Sequence, residues 1–176
     1  MLAEVHGCGV VTVSAPGAGD GAVGDVAVTA ESGAVLGVWT GDCAPLVAVA
    51  PDGRFGVAHA GWRGLAAGVI DVLVDAVDPR RAGGVRAHLG PAIGPCCDEF
   101  GPAELALVAA AAGGASVAAT TTWGTPSLDG PRAIAAMLAR RGVELDRSGA
   151  CTRCDERYFS HRRGDRGRHV TAAWRA

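Results

Sequence analysis

The chain has 176 residues, a formal net charge of −2 at pH 7 and no lysine, and 49% of its residues are hydrophobic. This length suits one domain with a sizeable core, so we expect residues 1–176 to form a single domain. The nearly balanced charge argues against nucleic acid or an anionic membrane as a partner, and no apolar run approaches the ~20 residues of a membrane helix. Since no cationic leader precedes the first motif, we expect a cytoplasmic protein whose six cysteines are thiols or metal ligands rather than disulfides.

Strands and helices are predicted to mix along the chain without strict alternation. Short β-branched or apolar runs predict strands over 10–13, 25–29, 34–39, 46–50, 55–58, 85–89 and 169–174. Apolar residues at helical spacing predict helices over 65–77, 102–112 and a last one that Asp129 caps and Gly142 ends. The stretch 113–126 is predicted to be a loop. This order of elements predicts an α+β domain with layers around a mixed sheet.

The stretch 39–69 carries reactive side chains at the ends of two predicted strands. Asp42 and Cys43 follow the first apolar run, and His59 ends a later one. If these strands are neighbours, a thiol and an imidazole lie at the same rim of the sheet. The following helix begins close to this rim, and its free N–H groups favour an anion such as phosphate.

Two kinds of chemistry fit these residues. Cys43 could be a nucleophile that His59 activates, as in cysteine hydrolases. Alternatively, Cys43 and His59 could bind a metal with His6 as the third ligand, because two imidazoles, a thiolate and an open position form a catalytic zinc arrangement. An ion held in this way lowers the pKa of a bound water or polarises a substrate oxygen.

The remaining cysteines give a weaker signal. Cys151 and Cys154 have the CxxC spacing but no second CxxC accompanies them, and the adjacent Cys96 and Cys97 are interpreted as packing or lining a pocket rather than binding a metal. Zinc-dependent nucleobase deaminases use H-x-E followed by P-C-x-x-C, which this sequence lacks, so the fold of those deaminases is not expected here.

Several segments together resemble the YfiH family of laccase-domain proteins. The resemblance is carried by EVHG at 4–7, TGDCAPL at 40–46, AHAGWRG at 58–64, GPAIGPCC at 90–97 and FSHRRGDRGR at 159–168. It implies an α/β/β/α sandwich with mixed sheets, similar to the catalytic domain of the cytotoxic necrotising factor toxins. It also implies that His6, Cys43 and His59 bind zinc or copper.

The resemblance implies phosphorolysis of purine nucleosides (adenosine, inosine, guanosine and methylthioadenosine), with adenosine deamination as a side activity, in a monomer or homodimer. The candidate catalytic residues are then Asp42, Cys43 and Arg63, with Asp42 or a metal-bound water handling the proton of the base. Arg63 and the helix N-terminus suit the phosphate. The arginines that would complete the anion site are Arg162, Arg163 and Arg168. The alternatives are a Cys-His hydrolase or amidase on the same fold, and a catalytically impaired metal-binding module.

Two features depart from the family pattern. The sequence begins almost at the VHG segment, whereas relatives usually carry several dozen residues before it, including strands and an Asn-Arg pair. Either the start codon is assigned too late or this is a genuinely shortened member, and we expect these N-terminal strands to be missing from residues 1–176. In addition, Asp98 replaces the tyrosine that follows the Cys-Cys pair, so any stacking or hydroxyl contact from that tyrosine is not expected in this protein.

Overall fold

A mixed six-stranded sheet forms the centre of the protein in the computed structural model, which describes residues 1–175. Ten strands lie within this range: β1 (Val10–Thr12), β2 (Val26–Thr29), β3 (Val35–Thr40), β4 (Ala44–Val49), β5 (Phe55–Ala60), β6 (Arg86–Leu89), β7 (Ala118–Thr120), β8 (Pro126–Leu128), β9 (Glu144–Arg147) and β10 (His169–Trp174). Four helices lie within it: α1 (Trp62–Ala66), α2 (Val69–Val77), α3 (Pro102–Ala111) and α4 (Gly130–Arg140). None of these helices is long and apolar enough to cross a membrane.

The large sheet has the order β1-β2-β5-β4-β6-β9. Its two outer pairs, β1–β2 and β6–β9, are parallel, and the inner pairs are antiparallel. A second sheet, β3–β10, is antiparallel and packs on one face of the first sheet, while the helices cover the other face. The strands β7 and β8 form a separate antiparallel pair.

Two apolar cores hold these layers together because each face of the central sheet is buried against a different layer. The core between the sheet and the helices includes Leu46, Ile70 and Leu138, whereas the core between the two sheets includes Leu36 and Val57. The predicted fold class, α+β with layers around a mixed sheet, is therefore confirmed. Within residues 1–175 the observed layers are helices, large sheet and small sheet, and the outer face of the small sheet exposes large apolar side chains: Val35, Trp39, Val170 and Trp174.

Most predicted elements are present, with three differences. The segment predicted as one helix over 65–77 forms parts of two helices, α1 and α2. The helix is interrupted at Gly68, whose φ of 88° is left-handed and therefore incompatible with a continuous α-helix. The predicted loop over 113–126 contains β7 and the start of β8. The strand β9 was not predicted, because its sequence ELDR lacks alternating apolar residues; it is an edge strand that pairs with β6.

The register of β4 and β5 decides where the reactive residues meet. Pro45 pairs with His59 and Ala44 with Ala60, so Cys43, which directly precedes β4, lies beside the end of β5 that carries His59. The expected proximity of the thiol and the imidazole follows from this antiparallel pairing.

Candidate metal centre

His6, Cys43 and His59 converge at one end of the large sheet. One ligand atom from each of the three side chains lies within 4.8 Å of the others. The two imidazole rings are 4.8 Å apart between centroids and nearly perpendicular, at 85°. The chain therefore brings the three predicted ligands together although 53 positions separate His6 from His59 in the sequence.

A buried carboxylate, Asp25, connects two of these residues. Its Oδ1 atom lies 2.9 Å from Nδ1 of His59 and accepts the backbone N–H of His6 at 2.9 Å. Its Oδ2 atom accepts the N–H of Gly7 at 2.8 Å. Burial would raise the pKa of Asp25, but the hydrogen bonds from His59 and from the backbone N–H groups outweigh it and hold this pKa below the ordinary value. A carboxylate bound to Nδ1 leaves Nε2 of His59 free to bind an ion.

His6, whose backbone N–H donates to Asp25, has an unusual backbone conformation. Its φ is 61°, in the left-handed region that few residues other than glycine adopt. Burial and the neighbouring His59 lower the pKa of the His6 ring, which favours the neutral form that binds metals.

The fit of these residues to a metal ion can be judged from the space between them. A Cβ atom at Gly61 would lie 3.1 Å from Sγ of Cys43 and 3.1 Å from Cδ2 of His6, so a larger residue here would require these side chains to shift by a few tenths of an ångström. Burial raises the pKa of the Cys43 thiol to about 12. A bound cation would lower this pKa and so favour the thiolate form. Two imidazoles and one thiolate are a donor set that suits zinc or copper. The residues therefore fit the implied metal.

A cavity of about 600 Å³ opens directly over this centre. Its polar lining includes Glu4, Arg63 and Arg162, and its apolar lining includes Trp62 and Phe100. The guanidinium of Arg63 lies over the Trp62 ring at 4.6 Å, and that of Arg162 over the Phe100 ring at 5.1 Å. The cavity thus combines aromatic walls with cations beside the candidate metal ligands.

Asp42 has both carboxylate oxygens occupied by the C-terminal segment. It accepts hydrogen bonds from Thr152 Oγ1 at 2.6 Å, from Ser160 Oγ at 3.1 Å and from the backbone N–H of Arg162 at 2.7 Å. Its φ of 114° is unfavourable for a side chain, and such strain is typical of functional regions. These contacts indicate that Asp42 positions Arg162; its predicted proton transfer to the base stays a prediction.

The predicted anion-binding arginines occupy different surroundings. Arg162 and Arg168 line the cavity, as Arg63 does. Arg163 instead lines a separate surface depression and donates to the carbonyl oxygens of Thr152 and Arg153 and to Asp165. Its guanidinium is thus held by internal partners, and this geometry assigns Arg163 to loop structure rather than to the cavity.

Asp98 and Arg162 form a pair at the wall of the same cavity. The guanidinium of Arg162 lies 3.3 Å from Asp98 and donates to the carbonyl of Glu99 at 2.9 Å. Burial raises the pKa of Asp98 to about 7, although Arg162 acts in the opposite direction. The Asp98 carboxylate thus helps to orient the Arg162 guanidinium at the cavity wall.

A second cluster was missed by the sequence interpretation. The sulfur atoms of Cys96, Cys97, Cys151 and Cys154 all lie within 4.8 Å of one another. The sequence does contain the adjacent Cys pair and the CxxC pair that form this cluster. The two pairs come together in space only because β9 pairs with β6, and the sequence pattern did not predict β9. Because β6 and β9 are parallel neighbours, the segments that follow them begin at the same end of the sheet, where Ala92 forms a β-bridge with Cys151.

Similarity to known proteins extends over the whole chain. A family model described as multi-copper polyphenol oxidoreductase laccase matches residues 1–176. The chain is 41% identical over 169 residues to a purine nucleoside phosphorylase of Streptomyces coelicolor, covering 91% of this chain and 67% of the relative. It is 40% identical over 186 residues to a purine nucleoside phosphorylase of Xylella fastidiosa, covering 98% of this chain and 70% of the relative. The chain thus spans about two thirds of the length of these two relatives.

Solved structures with the same fold agree with these matches. The YfiH protein of Bacillus licheniformis superimposes with a TM-score of 0.84 at 25% identity, covering 99% of this chain and 73% of the other. YlmD of Geobacillus stearothermophilus superimposes with a TM-score of 0.81 at 30% identity, covering 98% and 72%. On the family match, the two relatives and these structures together, the chain belongs to the YfiH family of laccase-domain proteins.

Proposed function

We propose that this protein is a zinc-dependent purine nucleoside phosphorylase, which transfers the sugar of a purine nucleoside to phosphate and releases the free base. The observation that carries the proposal is the convergence of His6, Cys43 and His59 beneath a cavity with arginines in its wall. Two relatives that share about 40% of their aligned residues with this chain carry the name of that activity.

The size and lining of the cavity support a nucleoside as its ligand. A volume of about 600 Å³ lies within the range of ~300–1,000 Å³ that small-molecule sites occupy. Trp62 and Phe100 stand edge to face at 5.8 Å and give the cavity an aromatic wall against which a purine can pack.

The arginines of the cavity support phosphate as the second substrate. Arg63, Arg162 and Arg168 reach the cavity from two separate parts of the chain, and a guanidinium presents paired N–H donors to phosphate oxygens. Phosphorolysis develops positive charge on the sugar and negative charge on the leaving purine. Phosphate held beside the sugar by these arginines would act as the nucleophile and stabilise the charge on the sugar.

The metal is assigned to His6, Cys43 and His59. In this position a bound zinc ion supplies Lewis-acid chemistry. Asp25 orients His59 for this role, and the buried Asp42 holds Arg162 at the cavity wall. Zinc rather than copper is proposed because two imidazoles and one thiolate with an open position form a catalytic zinc arrangement.

The hydrolase alternative uses two of the same residues. Asp25, His59 and Cys43 could act as an acid–base–nucleophile series, since Asp25 orients the imidazole. That mechanism gives no role to the His6 imidazole, which lies against His59 at 4.8 Å between ring centroids. The metal site uses all three side chains, and for this reason we favour it.

The test is an assay with inosine in the presence and absence of phosphate. We expect hypoxanthine and ribose 1-phosphate to form only with phosphate present, and Arg162→Gln to raise the KM for phosphate. The matched control is Arg81→Gln, because Arg81 is 78% exposed and is not among the residues that line the cavity. Release of base without phosphate, or no release by a protein loaded with zinc, would contradict the proposal.

Three further expectations belong to this proposal. Adenosine deamination is measured in the same assay with adenosine as substrate, because deamination yields inosine whereas phosphorolysis yields adenine. A cytoplasmic location and a monomeric or homodimeric state stay predictions, which cell fractionation and light scattering test.

A further inference from the structure

The four clustered cysteines lie in two segments that are far apart in the sequence. Cys96 and Cys97 lie between β6 and α3, and Cys151 and Cys154 follow β9. The Cys96 sulfur lies 3.6 Å from that of Cys151 and 3.7 Å from that of Cys154, and the Cys97 sulfur lies 3.4 Å from that of Cys154. The thiols of two separate loops thus meet at one point.

These distances can be compared with the two structures that clustered thiols form. A disulfide requires a sulfur–sulfur separation of about 2.05 Å. A tetrahedral zinc ion with Zn–S bonds of about 2.3 Å holds its sulfur atoms about 3.8 Å apart. The observed sulfur–sulfur separations of 3.4–3.7 Å are close to this distance.

The backbone around the cluster resembles the support that thiolate ligands need. The N–H of Gly94 donates to the Cys151 sulfur at 3.2 Å. The N–H of Cys154 donates to the carbonyl of Cys151 at 3.1 Å, which closes the CxxC turn so that both sulfurs face the same side. Hydrogen bonds from backbone amides to sulfur stabilise the negative charge of a bound thiolate and orient it.

We propose that Cys96, Cys97, Cys151 and Cys154 bind one zinc ion as four thiolates, in a site separate from the His6 centre. Each thiol gives its proton to solvent as it binds, and the ion completes its coordination with the four sulfurs. Because four protein ligands leave no open position, this site is structural rather than catalytic.

The position of the cluster suggests what such an ion stabilises. The first segment continues to Asp98 and Phe100, and the second continues to His161 and Arg162; all four of these residues line the large cavity. An ion between the two segments would join two parts of the cavity wall that come from distant positions in the sequence. The proposal is independent of the reaction in the cavity, since it concerns metal content and stability.

The first experiment counts zinc in protein purified in the presence of a phosphine reductant. We expect two zinc ions per chain, falling to one in Cys154→Ser, which changes the most exposed of the four cysteines, and to one in Cys43→Ser. The double variant is expected to retain none. Cys8→Ser is the matched control, because Cys8 belongs to neither group of candidate ligands, and it should retain two.

The second experiment identifies the ligands from the visible spectrum of a metal ion bound at the cluster. Cobalt(II) replaces zinc, and the Cys43→Ser protein isolates the four-cysteine cluster. We expect intense visible bands typical of four thiolates around a tetrahedral cobalt ion, and their loss in the Cys43→Ser/Cys154→Ser protein. A zinc content that Cys154→Ser does not lower, a single zinc ion that Cys43→Ser removes and Cys154→Ser retains, or a disulfide between the two segments in the reduced preparation would each overturn the proposal. A single zinc ion that Cys154→Ser removes and Cys43→Ser retains would support this site and count against the His6 centre instead.

Discussion

His59 Nδ1 lies 2.9 Å from Asp25 Oδ1, and both side chains are buried at the end of the large sheet. The same carboxylate accepts the backbone N–H groups of His6 and Gly7. Asp25 therefore sets the ring orientation of one candidate ligand and the backbone position of another. The three candidate ligands alone do not explain the geometry of this centre.

Replacement of Asp25 by Asn is expected to weaken zinc binding at the His6 centre by about 10–100-fold. The amide can still accept one hydrogen bond, but it loses the charge that favours the Nδ1–H tautomer of His59. The affinity is measured by competition with a chromogenic chelator in the Cys154→Ser background, which leaves only the His6 centre. Asp52→Asn is the control, because Asp52 caps an exposed turn through the N–H of Arg54. An unchanged affinity in Asp25→Asn would show that Asp25 does not orient the ligands.

Replacement of Gly61 by Ala is expected to reduce zinc affinity about tenfold, at the lower end of the effects seen when groups around metal ligands change. The new Cβ would lie 3.1 Å from both Cys43 Sγ and His6 Cδ2, so one of them must move by a few tenths of an ångström. Zinc–ligand distances tolerate only about 0.2 Å. Gly130→Ala is the matched control, because a Cβ there meets no atom within 4 Å. The same titration applies, and equal affinities in the two variants would contradict the close fit.

The sequence was sufficient to predict which three side chains meet at the candidate metal centre and the strands next to Cys43 and His59. Cys43 and His59 each lie at an end of a strand with a clear apolar pattern, and adjacent strands in the sequence pair as β4 and β5. The spacing of Cys43 and His59 alone left both a hydrolase and a metal site open and gave only a weak signal for the metal. The motif resemblance supplied the preference for a metal, and the structure adds the proximity of His6.

What the sequence did not predict depends on contacts between distant segments. Asp25 lies in an apolar strand pattern, and its role comes from the N-terminal loop folding back onto it 18–20 positions away. The pairing of Cys96 and Cys97 with the CxxC segment requires β9, whose charged sequence shows no strand periodicity. The contacts of Arg163 with the carbonyl oxygens of Thr152 and Arg153 and with Asp165 likewise depend on the folded conformation of the C-terminal loop.

Replacement of Asp42 by Asn is expected to lower stability by about 1–3 kcal/mol, because the carboxylate is buried and serves three donors. An amide nitrogen in place of one oxygen would face a donor rather than accept from it. We also expect a higher KM for phosphate, since Arg162 loses the acceptor that holds its backbone. Chemical denaturation and steady-state kinetics measure the two effects. Asp146→Asn, at a side chain 80% exposed, should leave both values close to those of the unmodified protein.

The acid sensitivity of the C-terminal loop is expected to depend on Asp165. This carboxylate accepts the N–H of Ser160 and pairs with the guanidinium of Arg163, and these contacts hold the pKa of Asp165 below its ordinary value of 3.8. A lowered pKa in the folded state means that the stabilisation is complete well above pH 3.8 and is lost as the pH falls through the lower, folded-state value. Asp165→Asn should therefore lower the melting temperature at pH 7, and the difference from the unmodified protein should shrink as the pH falls below 3.8. Thermal unfolding across this pH range, followed by circular dichroism with Asp52→Asn as control, measures it. A difference that stays constant down to the lowest pH would mean that the charge of Asp165 does not stabilise the loop.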